Sequence, residues 1–179
     1  MFMDKRNTLS IHKQDEINNK VKEQLLQYLS SQIKTVHVYL PISSKKEIDT
    51  WPIIRHLWRK KISVAVPVVS NDRSLLASYE LAETTTLVDN SWKVPEPIDG
   101  KLIDDKDLDL VIVPLLAFDL KGYRVGYGKG FYDKFLATLD RKVLKIGLCH
   151  FKPIDKISNT DSWDISLDCC ITPYEIFRF

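Results

Sequence analysis

Residues 108–118 read LDLVIVPLLAF and form the longest apolar stretch of the chain. A strand that is apolar at nearly every position cannot leave one face in water, so it must lie in a sheet that is covered on both faces. Shorter apolar runs at 35–41, 62–69 and 143–151 have the same character. Strands of this kind that alternate with helical segments are typical of an α/β fold. We therefore expect a three-layer α/β/α domain with a mainly parallel sheet.

Helical periodicity separates these runs. Ile17, Val21, Leu25 and Leu29 recur every fourth residue and predict an amphipathic helix over about 12–32. The short connections and single apolar pattern favour one domain over residues 1–179. The other predicted elements are a second helix that buries Trp51, Ile54, Leu57 and Trp58, a helix over about 130–141, a strand over 75–81 after a turn at Asn71-Asp72, a turn-rich connection over 88–101, and a last strand at 169–172.

The composition excludes several classes of protein. A net charge of +2 over 179 residues is too small to indicate a nucleic-acid or membrane-surface partner. No apolar run approaches the ~18 residues of a membrane span, and the N-terminal MFMDKRNTLS lacks the apolar centre of a signal peptide. The three cysteines form no CxxC pair, and Cys169 and Cys170 should be small buried side chains on opposite faces of a strand. We expect a cytoplasmic monomer.

The segment RVGYGKGFYDKF, which begins at Arg124, carries half of the chain's six glycines at alternate positions. Glycine permits positive φ and close approach of a ligand, so Gly126, Gly128 and Gly130 can turn their N–H groups toward one anion. The following helix N-terminus, Arg124 and Lys129 add positive charge, which suits a polyphosphate. The spacing matches neither the dinucleotide-binding motif nor the P-loop. A glycine-rich turn that binds nothing is the alternative.

Asp133 is unexpected beside a phosphate site because a carboxylate repels phosphate oxygens. A Mg²⁺ ion bound by carboxylates and phosphates together would remove that conflict. Alternatively, Asp133 only stabilises the first turn of the helix through its interaction with the helix dipole.

Four segments of the chain together resemble the 5-formyltetrahydrofolate cyclo-ligase family, also called 5,10-methenyltetrahydrofolate synthetases. The glycine segment and the strand before it match the most specific family motif, and the resemblance extends over about residues 6–173 in the family's order. The four segments are VPLLAFDLKGYRVGYGKGFYDKFL (113–136), SWKVPEP (91–97), YLPISSKKEIDT (39–50) and SWDISLDCCITP (162–173).

The resemblance implies an ATP- and Mg²⁺-dependent enzyme. Such enzymes convert 5-formyltetrahydrofolate, which can be polyglutamylated, into 5,10-methenyltetrahydrofolate and release ADP and phosphate. The formyl oxygen is phosphorylated by ATP, N10 attacks the activated carbon, and phosphate leaves. The chemistry of phosphoryl transfer asks the protein mainly for positioning and charge neutralisation. The resemblance therefore implies that the glycine segment binds the ATP phosphates.

The family motifs assign a role to each candidate site residue. Leu40 and Trp92 could equally be core residues, Asp168 is more typical of a structural carboxylate, and His37, His56 and His150 lack a metal-binding pattern. The resemblance implies that the nucleotide is bound by Arg124, Val125, Gly126, Tyr127, Gly128, Lys129, Gly130, Phe131 and Tyr132; that catalysis depends on Arg124, Lys129 and Tyr132; that the folate is bound by Leu40, Glu47, Trp92 and Tyr132; and that Mg²⁺ is bound by Asp133 and Asp164.

One departure from the family pattern concerns the N-terminus. Family members usually carry K-x-x-x-R, which reaches the ATP, before the R-x-x-L-S that resembles Arg6–Ser10. Three alternatives remain open: the true start lies upstream, another basic group such as Lys5 or Arg6 compensates, or nucleotide binding is weak.

Two other functions are compatible with the pattern. The first is a non-catalytic folate- or nucleotide-binding homologue, weakened by the missing K-x-x-x-R segment. The second is a different α/β enzyme that acts on phosphorylated sugars or CoA, because a fold alone does not define a function. Such an enzyme has no reason to combine Glu47 with the glycine segment.

Overall fold

The computed structural model describes residues 2–70, 75–91 and 93–179. The predicted turn at Asn71-Asp72 and the candidate site residue Trp92 lie outside the described residues. Within the described part, the helices are α1 (Phe2–Asn7), α2 (Ile11–Tyr28), α3 (Trp51–Arg59) and α4 (Phe131–Thr138), and the strands are β1 (Thr35–Val38), β2 (Ser63–Val69), β3 (Leu76–Glu80), β4 (Leu87–Asp89), β5 (Pro95–Pro97), β6 (Leu102–Ile103), β7 (Leu110–Pro114), β8 (Ala117–Phe118), β9 (Arg124–Val125), β10 (Leu144–Leu148), β11 (Cys169–Ile171) and β12 (Ile176–Arg178).

An eight-stranded sheet organises the fold, in the order β12-β11-β10-β7-β1-β2-β3-β6. The central strands, from β11 to β2 in this order, pair in parallel. The pairs β11–β12, β2–β3 and β3–β6 toward the two edges are antiparallel. The expected α/β fold with a mainly parallel sheet is confirmed.

Alternate side chains of β7 enter two different cores. Leu110 and Ile112 pack in a cluster that includes buried residues of α2 and α3. Val111 and Val113 pack in a second cluster with Phe135 of α4. Because successive residues of a strand point to opposite faces, α2 and α3 cover one face of the sheet and α4 covers the other. The sheet is therefore the middle of three layers.

Helix α2 agrees with the predicted amphipathic helix except at its end. Ser10 caps its N-terminus, where the side-chain oxygen accepts a hydrogen bond from the Lys13 N–H at 3.2 Å. The helix ends at Tyr28, whereas the periodicity predicted an end near residue 32. Ser30 explains the difference, because its Oγ accepts from the Gln32 N–H at 3.2 Å and stabilises a turn in place of another helical turn.

The apolar run 108–118 was predicted as one strand, and this prediction is wrong. Strand β7 ends at Pro114, which has no N–H to continue the hydrogen-bond ladder. The next residues leave the main sheet, and the Leu116 N–H donates to the Val125 carbonyl at 2.8 Å. Strands β8 and β9 then form a separate antiparallel hairpin. This hairpin lies between β7 and the glycine segment.

The shortest elements had no signal in the sequence. Helix α1 and the strands β4, β5, β6 and β12 each span only two to six residues, too few to establish a period. The three cysteines are free and buried, as expected. Among the described helices, none combines the length and apolar character needed to cross a bilayer.

Gly147 on β10 allows buried side chains of the second core, which contains Val111 and Val113, to pack closely against the sheet. A Cβ atom at this position would lie 2.6 Å from Leu115 Cδ2 and 2.7 Å from Leu167 Cδ1, both buried side chains.

We expect Gly147→Ala to lower the free energy of unfolding by ~1–3 kcal/mol because of this overpacking. Urea unfolding provides the measurement. Gly126→Ala is the matched control, because Gly126 has a negative φ and no heavy atom within 4 Å of the added carbon. Equal losses in the two variants would contradict the packing argument.

Candidate functional site

The candidate site lies beyond the carboxyl ends of the parallel strands. Strand β1 leads into Leu40 and then into a loop that carries Glu47, and β7 leads through the β8–β9 hairpin into the glycine segment. In open α/β sheets, ligands bind at this edge because the loops there converge. The sheet therefore brings together two segments that are 80 residues apart in the sequence, as the contact between Tyr127 and Glu47 demonstrates.

The backbone of the glycine segment is open on its ligand-facing side. The N–H groups of residues 126–130 donate no hydrogen bond within the described part of the chain. A Cβ added at Gly126, Gly128 or Gly130 would have no heavy atom within 4 Å. Gly128 has φ +76° and Gly130, the N-cap of α4, has φ +67°, which L-residues rarely adopt. A run of free N–H groups that ends at a helix N-terminus is suited to bind an anion.

The two basic residues of the segment have different surroundings. The Arg124 side chain is only 5% exposed, and its guanidinium donates to Asp133 Oδ1 at 2.6 Å and to the Ile165 carbonyl. Burial lowers the pKa of Arg124, although the nearby carboxylates oppose this effect. Lys129 is exposed beside the free N–H groups. Arg124 thus fastens the segment to α4, and Lys129 has its charge available.

Glu47 is a buried carboxylate at the mouth of the same site, with 9% of the residue exposed. Its Oε2 accepts the Ile42 N–H at 2.7 Å, and its Oε1 accepts the Tyr127 hydroxyl at 2.5 Å. Burial raises the pKa of Glu47, and these two hydrogen bonds act in the opposite direction. The family resemblance predicted that Glu47 binds the pterin, and the structure gives it the buried position that such a contact requires.

Arg6 completes this cluster; the sequence indicated it through its place in the R-x-x-L-S motif and as one of two residues, with Lys5, that could compensate for the absent K-x-x-x-R. It lies on α1 with 2% exposure, and its Nη2 donates to the Tyr127 hydroxyl at 2.6 Å. Lys45 Nζ lies 3.7 Å from the centroid of the Tyr127 ring, which is a cation–π contact. Tyr127, predicted as a nucleotide-binding residue, is therefore surrounded by two cations and the carboxylate of Glu47.

Tyr132 presents an unsatisfied hydroxyl. Its oxygen is buried and has no hydrogen-bond partner among the described residues. Burial raises its pKa, and the negative charge of Glu47 contributes further. Buried polar atoms without a partner are rare in folded proteins. The hydroxyl is therefore available to a ligand that enters near Glu47.

The two candidate metal ligands, Asp133 and Asp164, lie near the Arg124 guanidinium, whose pKa both carboxylates affect. Asp133 Oδ1 accepts from Arg124, and Asp164 Oδ2 accepts from the Asp161 N–H at 2.8 Å. The second oxygen of each has no hydrogen-bond partner in the described ranges. No group of three or more His, Cys, Asp or Glu suited to a metal occurs among the described residues. Mg²⁺ needs only one or two carboxylates when phosphates supply other ligands, so this pair fits the ion.

The other candidates lie away from this cluster or outside the described residues. Leu40 has 3% exposure and packs in the core that α2 and α3 cover. Asp168 pairs with Lys145 at 2.9 Å at the start of β11, away from the carboxyl ends of the strands. Trp92 lies outside the described residues, but Glu96 of the same motif accepts the Val69 N–H at the end of β2 at 3.1 Å.

A cavity of about 640 Å³ elsewhere contains none of the candidate residues. It lies against α2 and α3, and its lining is Lys22, Leu26, Pro52, Arg55, His56, Trp58, Arg59 and Glu83.

Fold and site together define an α/β protein with an anion-binding glycine segment next to a buried carboxylate. The model of the 5-formyltetrahydrofolate cyclo-ligase family matches residues 1–173. The chain is 30% identical over 190 aligned positions to the 5-formyltetrahydrofolate cyclo-ligase of Escherichia coli strain K12, with 100% of each chain covered. It is 27% identical over 173 positions to the Mycoplasma pneumoniae protein of the same name, with 95% of this chain and 93% of the relative covered.

Two solved structures have the same fold. The 5,10-methenyltetrahydrofolate synthetase of Aquifex aeolicus aligns with a TM-score of 0.84 at 30% identity, covering 99% of this chain and 88% of that chain. The 5,10-methenyltetrahydrofolate synthetase of Mycoplasma pneumoniae aligns with a TM-score of 0.78 at 26% identity, and the alignment covers 96% of this chain and 94% of that chain. The chain belongs to the 5-formyltetrahydrofolate cyclo-ligase family, and the resemblance that the sequence motifs indicated is confirmed.

His37 lies behind the site, and its ring centroid is 4.8 Å from that of Phe135. Neither ring nitrogen has a hydrogen-bond partner among the described residues. Burial lowers the pKa of His37 to about 3, whereas an unfolded histidine has a pKa of ~6.5. As the pH falls below the unfolded value, the unfolded state takes up the proton first, so stability is lost between pH ~6.5 and the folded pKa.

We expect His37→Leu to reduce this pH dependence. The slope of the unfolding free energy between pH 6 and 4 should decrease by up to ~1.4 kcal/mol per pH unit, the value for one proton. Urea unfolding across this pH range provides the measurement. His12→Leu is the control, because His12 is exposed on α2. An unchanged slope in His37→Leu would mean that His37 is protonated equally in the folded and unfolded states.

Proposed function

We propose that the protein converts 5-formyltetrahydrofolate into 5,10-methenyltetrahydrofolate with ATP and Mg²⁺, releasing ADP and phosphate. The observation that carries the proposal is the Tyr127–Glu47 hydrogen bond, which joins the anion-binding glycine segment to a buried carboxylate. A reaction between a polyphosphate and a folate needs both ligands in contact. Family membership supports the choice of these two substrates.

The folate would bind on the Glu47 side of the site. The pterin ring has N–H and amino donors, which match a carboxylate acceptor. Tyr132, whose buried hydroxyl lacks a partner within the described structure, would lie near the formyl group and donate to it. Leu40 would contribute at the apolar base of the pocket, and Trp92 remains a predicted contact.

The ATP phosphates would bind to the free N–H groups of residues 126–130. Lys129 would add a full positive charge, and the N-terminus of α4 a partial one. Val125 and Phe131 flank the segment, with Val125 38% exposed. Arg124 would act mainly by holding Asp133 and the loop in position. Mg²⁺, bound by Asp133, Asp164 and the phosphates, would neutralise charge on the transferring phosphoryl group.

The family resemblance implies the reaction steps, and this arrangement is suited to them. The formyl oxygen attacks the γ-phosphorus, and the bond from phosphorus to the bridging oxygen of ADP breaks. The formyl carbon then carries a phosphate leaving group on an iminium carbon. N10 attacks that carbon and loses its proton, and phosphate leaves with the former formyl oxygen. The N–H groups and Lys129 stabilise charge at the phosphoryl group throughout, and no covalent bond to the protein is required.

Family membership does not favour the alternative of a non-catalytic binding homologue. We also propose that residues 1–179 act as one domain, that the protein is a cytoplasmic monomer, and that folates with polyglutamate tails are accepted.

The direct test is the formation of 5,10-methenyltetrahydrofolate, followed by its absorbance. We expect product only when 5-formyltetrahydrofolate, ATP and Mg²⁺ are all present, with one ADP and one phosphate released per product. Folate binding without turnover under these conditions would support the non-catalytic alternative. Absence of folate binding would refute the proposal.

Substitutions at Lys129 and Glu47 should weaken different ligands. Lys129→Ala removes a charge that faces phosphate, a contact worth ~1.5–3 kcal/mol, so the KM for ATP should rise about tenfold or more with little change for the folate. Glu47→Gln replaces an acceptor with an amide that also presents donors to the pterin, so folate affinity should fall without a loss of ATP affinity. Steady-state kinetics of both variants provide the measurement, and each is the control for the other. Lys121→Ala, an exposed lysine in the β8–β9 turn, should change neither value. Parallel losses for both ligands would contradict the assignment.

A further inference from the structure

The Tyr127 hydroxyl lies between two buried charges of opposite sign. It accepts from Arg6 Nη2 at 2.6 Å and donates to Glu47 Oε1 at 2.5 Å. Arg6 has 2% exposure, and no ion pair within the described structure joins it directly to an acidic side chain. A buried charge without compensation is strongly unfavourable. Tyr127 therefore links the guanidinium to its nearest compensating carboxylate, and we call this arrangement the Arg6–Tyr127–Glu47 bridge.

The bridge occupies the groups that the two substrates would use. Ile42 already binds Oε2 of Glu47, and the Tyr127 hydroxyl binds Oε1. A pterin donor that takes the place of this hydroxyl on Oε1 breaks the bridge. The Arg6 guanidinium likewise lies beside the glycine segment, and its Nη2 is directed at Tyr127. A phosphate that draws Nη2 toward itself breaks that contact, and the buried Nε of Arg6, which has no hydrogen-bond partner among the described residues, is a further donor for the same phosphate.

Tyr127 lies on the part of the backbone best suited to move. Its neighbours Gly126 and Gly128 have free space around them, and no hydrogen bond within the described part of the chain uses the N–H groups of residues 126–130. The ring is held by the Lys45 cation at 3.7 Å, so displacement of the hydroxyl does not require loss of this contact. A shift of Tyr127 moves the two glycines that carry the phosphate-binding N–H groups.

We propose that Tyr127 is a positioning residue that couples the folate and nucleotide sites. The inference rests on the proposed function. In the free protein the bridge holds Glu47 and Arg6 together. The ligand that binds first breaks the bridge, and the second ligand then binds without that cost. Each substrate therefore increases the affinity for the other by the same factor, as linkage requires.

Tyr127→Phe tests the coupling, because it removes the hydroxyl and retains the ring that Lys45 contacts. Calorimetric titration should use 5-formyltetrahydrofolate and a non-hydrolysable ATP analogue with Mg²⁺, each alone and each in the presence of the other. The expected size of the coupling factor follows from the strength of a hydrogen bond to a charged group. We expect about a tenfold coupling factor in the wild type. In Tyr127→Phe each ligand alone should bind about tenfold more tightly, and the coupling factor should fall to about one. The gain in each affinity should equal the coupling factor that is lost.

Tyr123→Phe is the matched control. Tyr123 lies four residues earlier, in the connection between β8 and β9, and its hydroxyl makes no hydrogen bond to any described residue. It should retain wild-type affinities and coupling. Melting temperatures of both variants establish that they are folded.

The outcomes separate the two proposals. If Tyr127→Phe binds the folate more weakly and the coupling factor persists, Tyr127 is part of the folate-binding surface and the inference is wrong. Equal affinities in wild type and variant, with normal turnover, would also refute the coupling while leaving the proposed function intact. A wild-type protein that binds no 5-formyltetrahydrofolate under any condition would refute both.

Discussion

The burial of β7 on both faces is the constraint on which the rest of the structure depends. A strand with Leu110 and Ile112 in one core and Val111 and Val113 in the other leaves no face for a polar site. Chemistry is therefore confined to the strand ends. Pro114 ends the hydrogen-bond ladder and directs the chain into the β8–β9 hairpin. The hairpin delivers the glycine segment to the edge where β1 delivers Glu47, so the same apolar run that fixes the fold also determines where the substrates can meet.

At that edge of the sheet, several polar groups have no hydrogen-bond partner among the described residues. The N–H groups of residues 126–130 and the Tyr132 hydroxyl have no hydrogen-bond partner within the described residues. Four of the five residues of 126–130 are exposed, so their N–H groups are open to solvent or to a ligand. The Tyr132 hydroxyl is buried, and native proteins pair nearly all such buried groups, with exceptions concentrated at functional sites. Glu47 and Arg6 differ from these groups because they carry buried charges. Burial of either charge without a compensating partner would cost free energy of folding. The Tyr127 hydroxyl contacts both, through Arg6 Nη2 and Glu47 Oε1, and the Nε of Arg6 remains without a partner among the described residues. The site thus combines unpaired donors with two buried charges that one hydroxyl links.

The sequence predicted those features that depend on local pattern. The buried strands follow from apolar runs, α2 follows from its four-residue spacing, and the glycine segment follows from its composition. The predictions fail where a structural feature depends on a contact between residues far apart in the sequence, or where an element is too short to show a period. Nothing near residue 116 indicates that its N–H pairs with Val125 instead of extending β7. Nothing near Tyr127 indicates an acceptor that is 80 residues earlier in the chain. Arg124 was expected to face phosphate, but its ion pair with Asp133 depends on how α4 docks. From the sequence, only the family resemblance indicated that Glu47 and the glycine segment belong to one site.

The position of Arg6 bears on the departure from the family's K-x-x-x-R pattern. One of the three alternatives for the absent K-x-x-x-R was that another basic group compensates. This alternative requires a cation outside that motif that reaches the glycine segment. Arg6 meets this requirement, since α1 directs its guanidinium onto Tyr127, whereas the adjacent Lys5 is exposed and its Nζ lies 5.4 Å from the centroid of the Phe2 ring. Successive helical residues point ~100° apart, so the two cannot serve the same site. Lys45 adds a second cation from the Glu47 loop. The positive charge next to the glycine segment therefore comes from α1 and from the Glu47 loop as well as from Lys129, which is the arrangement that compensation by another basic group requires.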